Sequence, residues 1–222
     1  MTASAGEAAD RTTTSAAMAA PGLRERRRRQ TMAEISEAAL TLFEERGLEA
    51  ATVDDIAEAA GISQRTFFRY FAAKEDAALP AHREFEDAVE AGLGQADPEA
   101  DPCEELGKVY GRALQAFADN ASAASQRMLR VSRLLRREPL LRAALVRHSA
   151  ARNARLFQAL AAKFAGPQAD DLQLRVAVEL CTGLARAAFD TWTERLEAGR
   201  PARLPEIFVD AQDAAQRVRT AF

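Results

Sequence analysis

Between Thr52 and Lys74 the chain reads TVDDIAEAAGISQRTFFRYFAAK, two short helical patterns with one glycine between them. No other stretch restricts the fold as tightly. Thr52 offers a hydroxyl to the unpaired N–H groups that open a helix, and Asp55 three residues on completes a capping-box pattern. Val53, Ile56, Ala57 and Ala60 follow at helical spacing. Gly61 then supplies a residue that takes the left-handed conformation at a helix end without steric cost. Ser63 can cap the next helix, which leaves a turn of about three or four residues, the spacing of a helix-turn-helix.

The second helix divides its faces according to a rotation of about 100° per residue. Phe67 and Phe71 share one side, which must be core. Arg65 and Arg69 lie opposite, flanked by Gln64 with Phe68 and by Thr66 with Tyr70. From Gly61 to Lys74 the charged residues are Arg65, Arg69 and Lys74, with no Asp or Glu. Guanidinium bonds guanine edges or phosphate bidentately, glutamine pairs with adenine, and a ring meets a thymine methyl. A merely solvated basic face is the plainer alternative, but such a face seldom also exposes a Phe and a Tyr.

The run TVDDIAEAAGISQRTFFRYFAAKEDAAL, preceded by AALTLFEERGLEAAT, closely resembles the amino-terminal DNA-binding domain of the TetR family of one-component transcriptional regulators. The matching positions are Phe43, Gly47, Thr52, Val53, Ile56, Ala57, Gly61, Ser63, Thr66, Phe67, Tyr70, Phe71 and Lys74. Many members carry a tyrosine where this chain has Phe68, so a hydroxyl contact from that position is absent here. Chemistry and resemblance together assign base edges to Gln64, Arg65 and Phe68. They assign phosphate to Thr52, Ser63, Thr66, Tyr70 and Lys74, and Arg69 fits either role.

The resemblance implies an all-α protein: a three-helix helix-turn-helix domain over residues 23–79, then a larger helical domain over 80–222 that binds an effector and dimerises. Residues 1–22, small, polar and alanine-rich, read as a disordered tail. The implied function is a ligand-responsive regulator, a repressor released from a palindromic double-stranded DNA operator by a small molecule. A ligand-binding dimer that no longer binds DNA is the alternative.

Composition agrees with this outline. Apolar residues make up 48% and charged residues 28% of the 222-residue chain, ordinary proportions for a globular protein. A net charge of −3 argues against coating nucleic acid without specificity, so any DNA contact must come from segregated charge. Arg24, Arg26, Arg27, Arg28 and Arg29 form such a cluster, read either as a loose solvated arm or as an arm that meets phosphate. Cys103 and Cys181 lie far apart, as do His82 and His148, with no zinc or haem spacing. No cofactor, metal or catalytic residue is expected, and no clustered Ser/His/Asp or phosphate-cradling glycine loop points to an enzyme. No uncharged apolar run reaches the roughly 18 residues of a membrane span, and a cytoplasmic protein is expected.

Ile35, Ala38, Ala39, Leu42 and Phe43 form the stripe of a first helix ending near Gly47. Beyond Lys74 a helix should run through Phe85 and Val89 to Gly94, with Pro80 kinking or starting it, followed by a loop to Pro102. Further helices are expected over 102–118, 122–137, 139–164, 170–198 and 205–220, with breaks at Gly166-Pro167 and Gly199–Pro201. The helix over 170–198 carries more apolar surface than one core contact needs. It reads either as a dimer face, with Val178, Gly183, Ala187, Phe189 and Leu196 in the interface as the family's pattern implies, or as a fully buried central helix. His148 and Arg152 project within about 20° of Leu141, either as polar hooks in an apolar pocket or as groups satisfied by protein partners. Tyr110, Phe117, Phe157, Phe189 and Trp192 are further pocket candidates, each equally able to be plain core.

Overall fold

Helix boundaries in this chain follow its capping residues. The structure, a computed structural model, describes residues 23–164 and 170–219. Its helices are α1 (Leu23–Arg46), α2 (Val53–Ala59), α3 (Gln64–Tyr70), α4 (Pro80–Leu93), α5 (Pro102–Leu114), α6 (Ala123–Arg137), α7 (Pro139–Lys163), α8 (Asp171–Glu197) and α9 (Leu204–Arg219), with 3-10 turns at Glu75–Ala78 and Gln115–Phe117. There is no strand among the described residues.

Thr52, Ser63, Asp101, Ser122 and Asp170 each accept a backbone N–H at the start of α2, α3, α5, α6 and α8. Such a cap contributes about 1 kcal/mol. Pro80, Pro102 and Pro139 occupy first turns, where no backbone donor is needed. Pro80 therefore starts α4 and does not kink it. Gly47 and Gly61 sit at φ 82° and 66°, the left-handed positions that turn the chain out of α1 and α2.

Ile35, Ala39 and Phe43 of α1 meet Ile56 of α2 and Phe67 of α3 in a fully buried small core. Through Phe71, Ala77 and Leu79 this core runs without a break into Phe85 and Val89 of α4, and on as far as Phe208 of α9. Helix α8 runs through the centre of the larger part, against α5, α6, α7 and α9.

Three polar ties fasten the first helices to the rest. Arg130 of α6 donates to Glu44 at 2.7 and 2.9 Å, to Thr41 at 3.0 Å and to Glu37. The Leu48 N–H donates to Glu138 at 3.4 Å. His148 Nε2 of α7 meets the buried Asp76 carboxylate at 2.7 Å.

Two expectations change. The Arg24–Arg29 cluster belongs to the first turns of α1 and is not a loose arm, because nothing in that run breaks a helix and Glu25 pairs with Arg29 at 3.1 Å. The helix from Pro102 stops at Leu114 and tightens into a 3-10 turn before Ala118. The tail over 1–22, the Gly166-Pro167 break and Thr220 lie outside the described residues. Among those described, no helix is long and apolar enough to cross a membrane.

Candidate nucleic-acid interface and effector cavity

Phe67 anchors α3. Its ring is fully buried and lies 5.5 Å from Phe68 and 5.6 Å from Phe71, centroid to centroid. Fixing that back face turns the opposite one outward: Arg65 and Arg69 are exposed and Phe68 is 55% exposed. Arg65 makes no hydrogen bond or ion pair among the described residues, so its fork is free for a base edge or a phosphate. The Arg69 guanidinium lies 5.1 Å from the Tyr70 ring centroid, a cation–π contact that orients both side chains.

Ser63 accepts the Thr66 N–H at 3.1 Å, and the two hydroxyls lie 3.0 Å apart. Thr52 donates its hydroxyl and its N–H to Asp55 at 2.6 and 2.8 Å and accepts the Asp55 N–H at 3.1 Å. Those bonds from Thr52, hydroxyl first, hold the Asp55 carboxyl below the usual carboxylate range. Thr52 and Asp55 thus fix the start of α2, and Ser63 and Thr66 the start of α3, before any outside partner arrives.

Two further side chains assigned to DNA are engaged within the chain. Gln64 Nε2 donates to Asp54 Oδ1 of α2, so an acid reaches the start of a helix that itself carries none, and one amide N–H and the carbonyl of Gln64 are left open. Lys74 Nζ donates to the Ala51 and Glu49 carbonyls at 2.9 and 3.3 Å. Its amine fastens the loop between α1 and α2, a structural role beside the phosphate contact expected of it.

A cavity of about 600 Å³ opens among α4, α5, α6, α7 and α8. Of the pocket candidates, Tyr110, Arg152 and Phe189 lie on its wall. His148, Phe117, Phe157 and Trp192 do not. His148 turns to Asp76 and to Arg83 at 3.3 Å, Trp192 is buried with its Nε1–H donating to Asn120 at 3.0 Å, Phe117 is core, and Phe157 lies under the Arg175 guanidinium at 4.1 Å. The wall residues missed from the sequence include His82, Phe85, Glu86 and Ser132. Their signal was available: His82, Phe85 and Glu86 share one face of α4 at i, i+3 and i+4.

Arg152 is the polar centre of the cavity. It meets Glu86 at 3.0 Å, donates to Asn153 Oδ1 at 2.6 and 3.1 Å and to Thr182 at 3.2 Å. Thr182 in turn lies 3.0 Å from the Tyr110 hydroxyl. Burial raises the Glu86 carboxyl and the Arg152 charge opposes that rise. Burial, and after it the same Arg152 charge, pulls His82 from 6.5 to about 4.

A depressed imidazole couples stability to acidity. Above 6.5, the unfolded value, the stability is fully present; it is lost as the pH falls toward 4, because the unfolded chain takes up the proton first. From pH 7 to pH 4.5 this single group should remove about 2–3 kcal/mol. Urea unfolding of the wild type and of His82→Gln at both pH values measures it. The wild type should lose that much more than the variant, and equal losses would show that His82 does not carry the effect.

The assignment of Val178 and Phe189 to a dimer face is corrected: both are buried within the chain, against the core and the cavity. The outward stripe of α8 is Leu172, Val176, Leu180, Gly183 and Ala187. A Cβ on Gly183 would meet nothing of its own chain within 4 Å. Leu196 is half-buried. Among the described residues no group of three or more His, Cys, Asp or Glu is placed to hold a metal.

Comparison with known proteins agrees with this geometry. Residues 35–77 match the profile described as "Bacterial regulatory proteins, tetR family", and residues 104–216 match the "MftR C-terminal domain". The chain is 30% identical over 203 residues to the HTH-type transcriptional regulator TcmR of Streptomyces glaucescens, covering 86% of this chain and 90% of that one. The fold resembles that of NalD, the secondary repressor of the MexAB-OprM multidrug efflux pump in Pseudomonas aeruginosa, with a TM-score of 0.55 at 19% identity over 86% of this chain and 96% of the other. The 30% identity to TcmR over most of both chains fixes the family, and this chain belongs to the tetR family of bacterial regulatory proteins, the DNA-binding transcriptional regulators.

Proposed function

We propose that two copies of this chain sit on a near-palindromic operator as a repressor, and that a small molecule entering the α4–α8 cavity releases them. The free fork of Arg65 beside the exposed ring of Phe68, on a helix anchored from behind by Phe67, carries the reading. The exposed apolar stripe of α8, with Val209 on the neighbouring α9, supports pairing through these two helices. Two recognition helices would then enter major grooves about 34–36 Å apart.

Release needs a ligand that favours one arrangement of the helices over another. The cavity supports such a link. Arg152 reaches Glu86 between α7 and α4, and one turn away on the same two helices His148 and Arg83 meet. His148 also holds Asp76, in the 3-10 turn that follows the recognition helix. A ligand that shifts α7 against α4 would move Asp76, and α3 with it.

Gel shifts across an operator library test the DNA face. Arg65→Ala should cost about 1–3 kcal/mol and relax the preference at one position per half-site. Lys74→Ala should weaken every sequence alike, since its amine holds the loop ahead of α2. Identical profiles for the two variants would remove the assignment of Arg65 to a base edge.

A further inference from the structure

The buried charges on the cavity wall, Arg152 and Glu86, are matched inside the chain. Arg152 meets Glu86 at 3.0 Å and Arg136 meets Glu194 at 2.8 Å. Asn153 donates to Glu179 at 3.0 Å, and Arg142 donates to the Leu135 and Arg136 carbonyls at 2.8 and 2.9 Å. Over the whole wall four arginines stand against four carboxylates, with Arg186 and Asp190 at exposed positions and outside any ion pair among the described residues. A carboxylate ligand would draw Arg152 from Glu86 and strand a buried acid, while an ammonium ligand would draw Glu86 away and strand the guanidinium. Both signs of charge are disfavoured in the interior.

Ser132 and His82, deeper on the same wall, are without hydrogen-bond partners among the described residues. Ser132 is 3% exposed and its Oγ has no hydrogen-bond partner among the described residues. His82 forms no hydrogen bond among them either, its ring tilted against Phe189 at 5.5 Å. With its titration pulled to about 4 by burial, His82 is uncharged at neutral pH and offers one donor and one acceptor; the serine hydroxyl offers both as well. A buried hydroxyl without a protein partner is costly, and a ligand that bonds it offsets that cost.

The apolar wall is largely ring. Phe85 stands edge-on to Phe189 at 5.4 Å and 87°, and to Tyr110 at 6.0 Å and 70°. Such a corner presents ring faces and edges to an incoming flat molecule.

We propose that the cavity selects an uncharged aromatic molecule bearing hydroxyl or carbonyl groups, bonded by Ser132 and His82 against the rings of Phe85, Tyr110 and Phe189. This rests on reading the cavity as the effector site, and names the class of effector.

Anthracene bearing a hydroxymethyl, a carboxylate or an aminomethyl group on its central ring keeps one shape through three charges. Titration of the full chain at neutral pH, followed by ring fluorescence, should show the alcohol binding at least about tenfold more tightly than either ion. Ser132→Ala should weaken the alcohol about three- to tenfold and leave unsubstituted anthracene unchanged. Tighter binding of the carboxylate or the ammonium form would overturn the proposed class while leaving the effector site in place. No binding of any probe to the wild type would remove the effector site and the class together. An alcohol affinity unchanged in Ser132→Ala would overturn the role given to that hydroxyl.

Discussion

Arg152→Met should lower the stability of the folded chain by about 3–5 kcal/mol, because it leaves the Glu86 carboxylate buried with its opposite charge removed. Both side chains are nearly inaccessible, Arg152 at 6% and Glu86 at 10%, and 3.0 Å separates their closest polar atoms. Against a total of about 5–15 kcal/mol for a typical domain, that loss is large. The loss belongs to the stranded charge and not to the missing contact. Arg152→Met combined with Glu86→Leu should therefore recover most of it, as apolar replacements of both partners of a buried pair do elsewhere. Urea denaturation of the three variants measures this directly. Additive losses in the double variant would show that the pair is net stabilising in itself.

Phe67→Ala should cost about 3–5 kcal/mol through lost burial and the cavity left behind. It should also abolish operator binding, although the ring is wholly inside the chain. Helix α3 runs only from Gln64 to Tyr70, too short to persist without tertiary packing, and Phe67 is its one fully buried side chain. Phe68→Ala, one residue on, should change stability by no more than about 0.5 kcal/mol, because that ring stands in solvent. Circular dichroism with urea separates the two, and equal losses would contradict the division of faces on which the interface rests.

That division was legible from sequence because every device that makes it is local. The capping box at Thr52, the positive φ at Gly61 and the Ser63 cap each act within four residues, and helical periodicity sets what faces the core. The contacts that change the side chains' roles come from farther off. Asp54 captures Gln64 from the preceding helix, and Lys74 reaches carbonyls more than twenty residues upstream, neither of which a reading along α3 reveals.

The cavity was less legible, since five helices build it. His148 and Arg152 lie on one stripe of α7, one turn apart, yet the first faces Asp76 and the second faces the cavity. Only the neighbouring helix separates those fates. Helix α8 makes the same point. Its excess apolar surface was visible in the sequence, but which side remains open depends on where the neighbouring elements lie: His82 and Phe85 of α4 and Phe117 stand against Phe189, Val178 is buried, and Val176 and Leu180 stay outside.

Selection of DNA from a randomised duplex pool by the full-length chain is the most direct test that α3 reads a duplex as one of a symmetric pair. The retained sequences should converge on an inverted repeat with half-site centres about 34–36 Å apart along the axis. Recovery of unrelated sequences, or of a single unrepeated site, would contradict it.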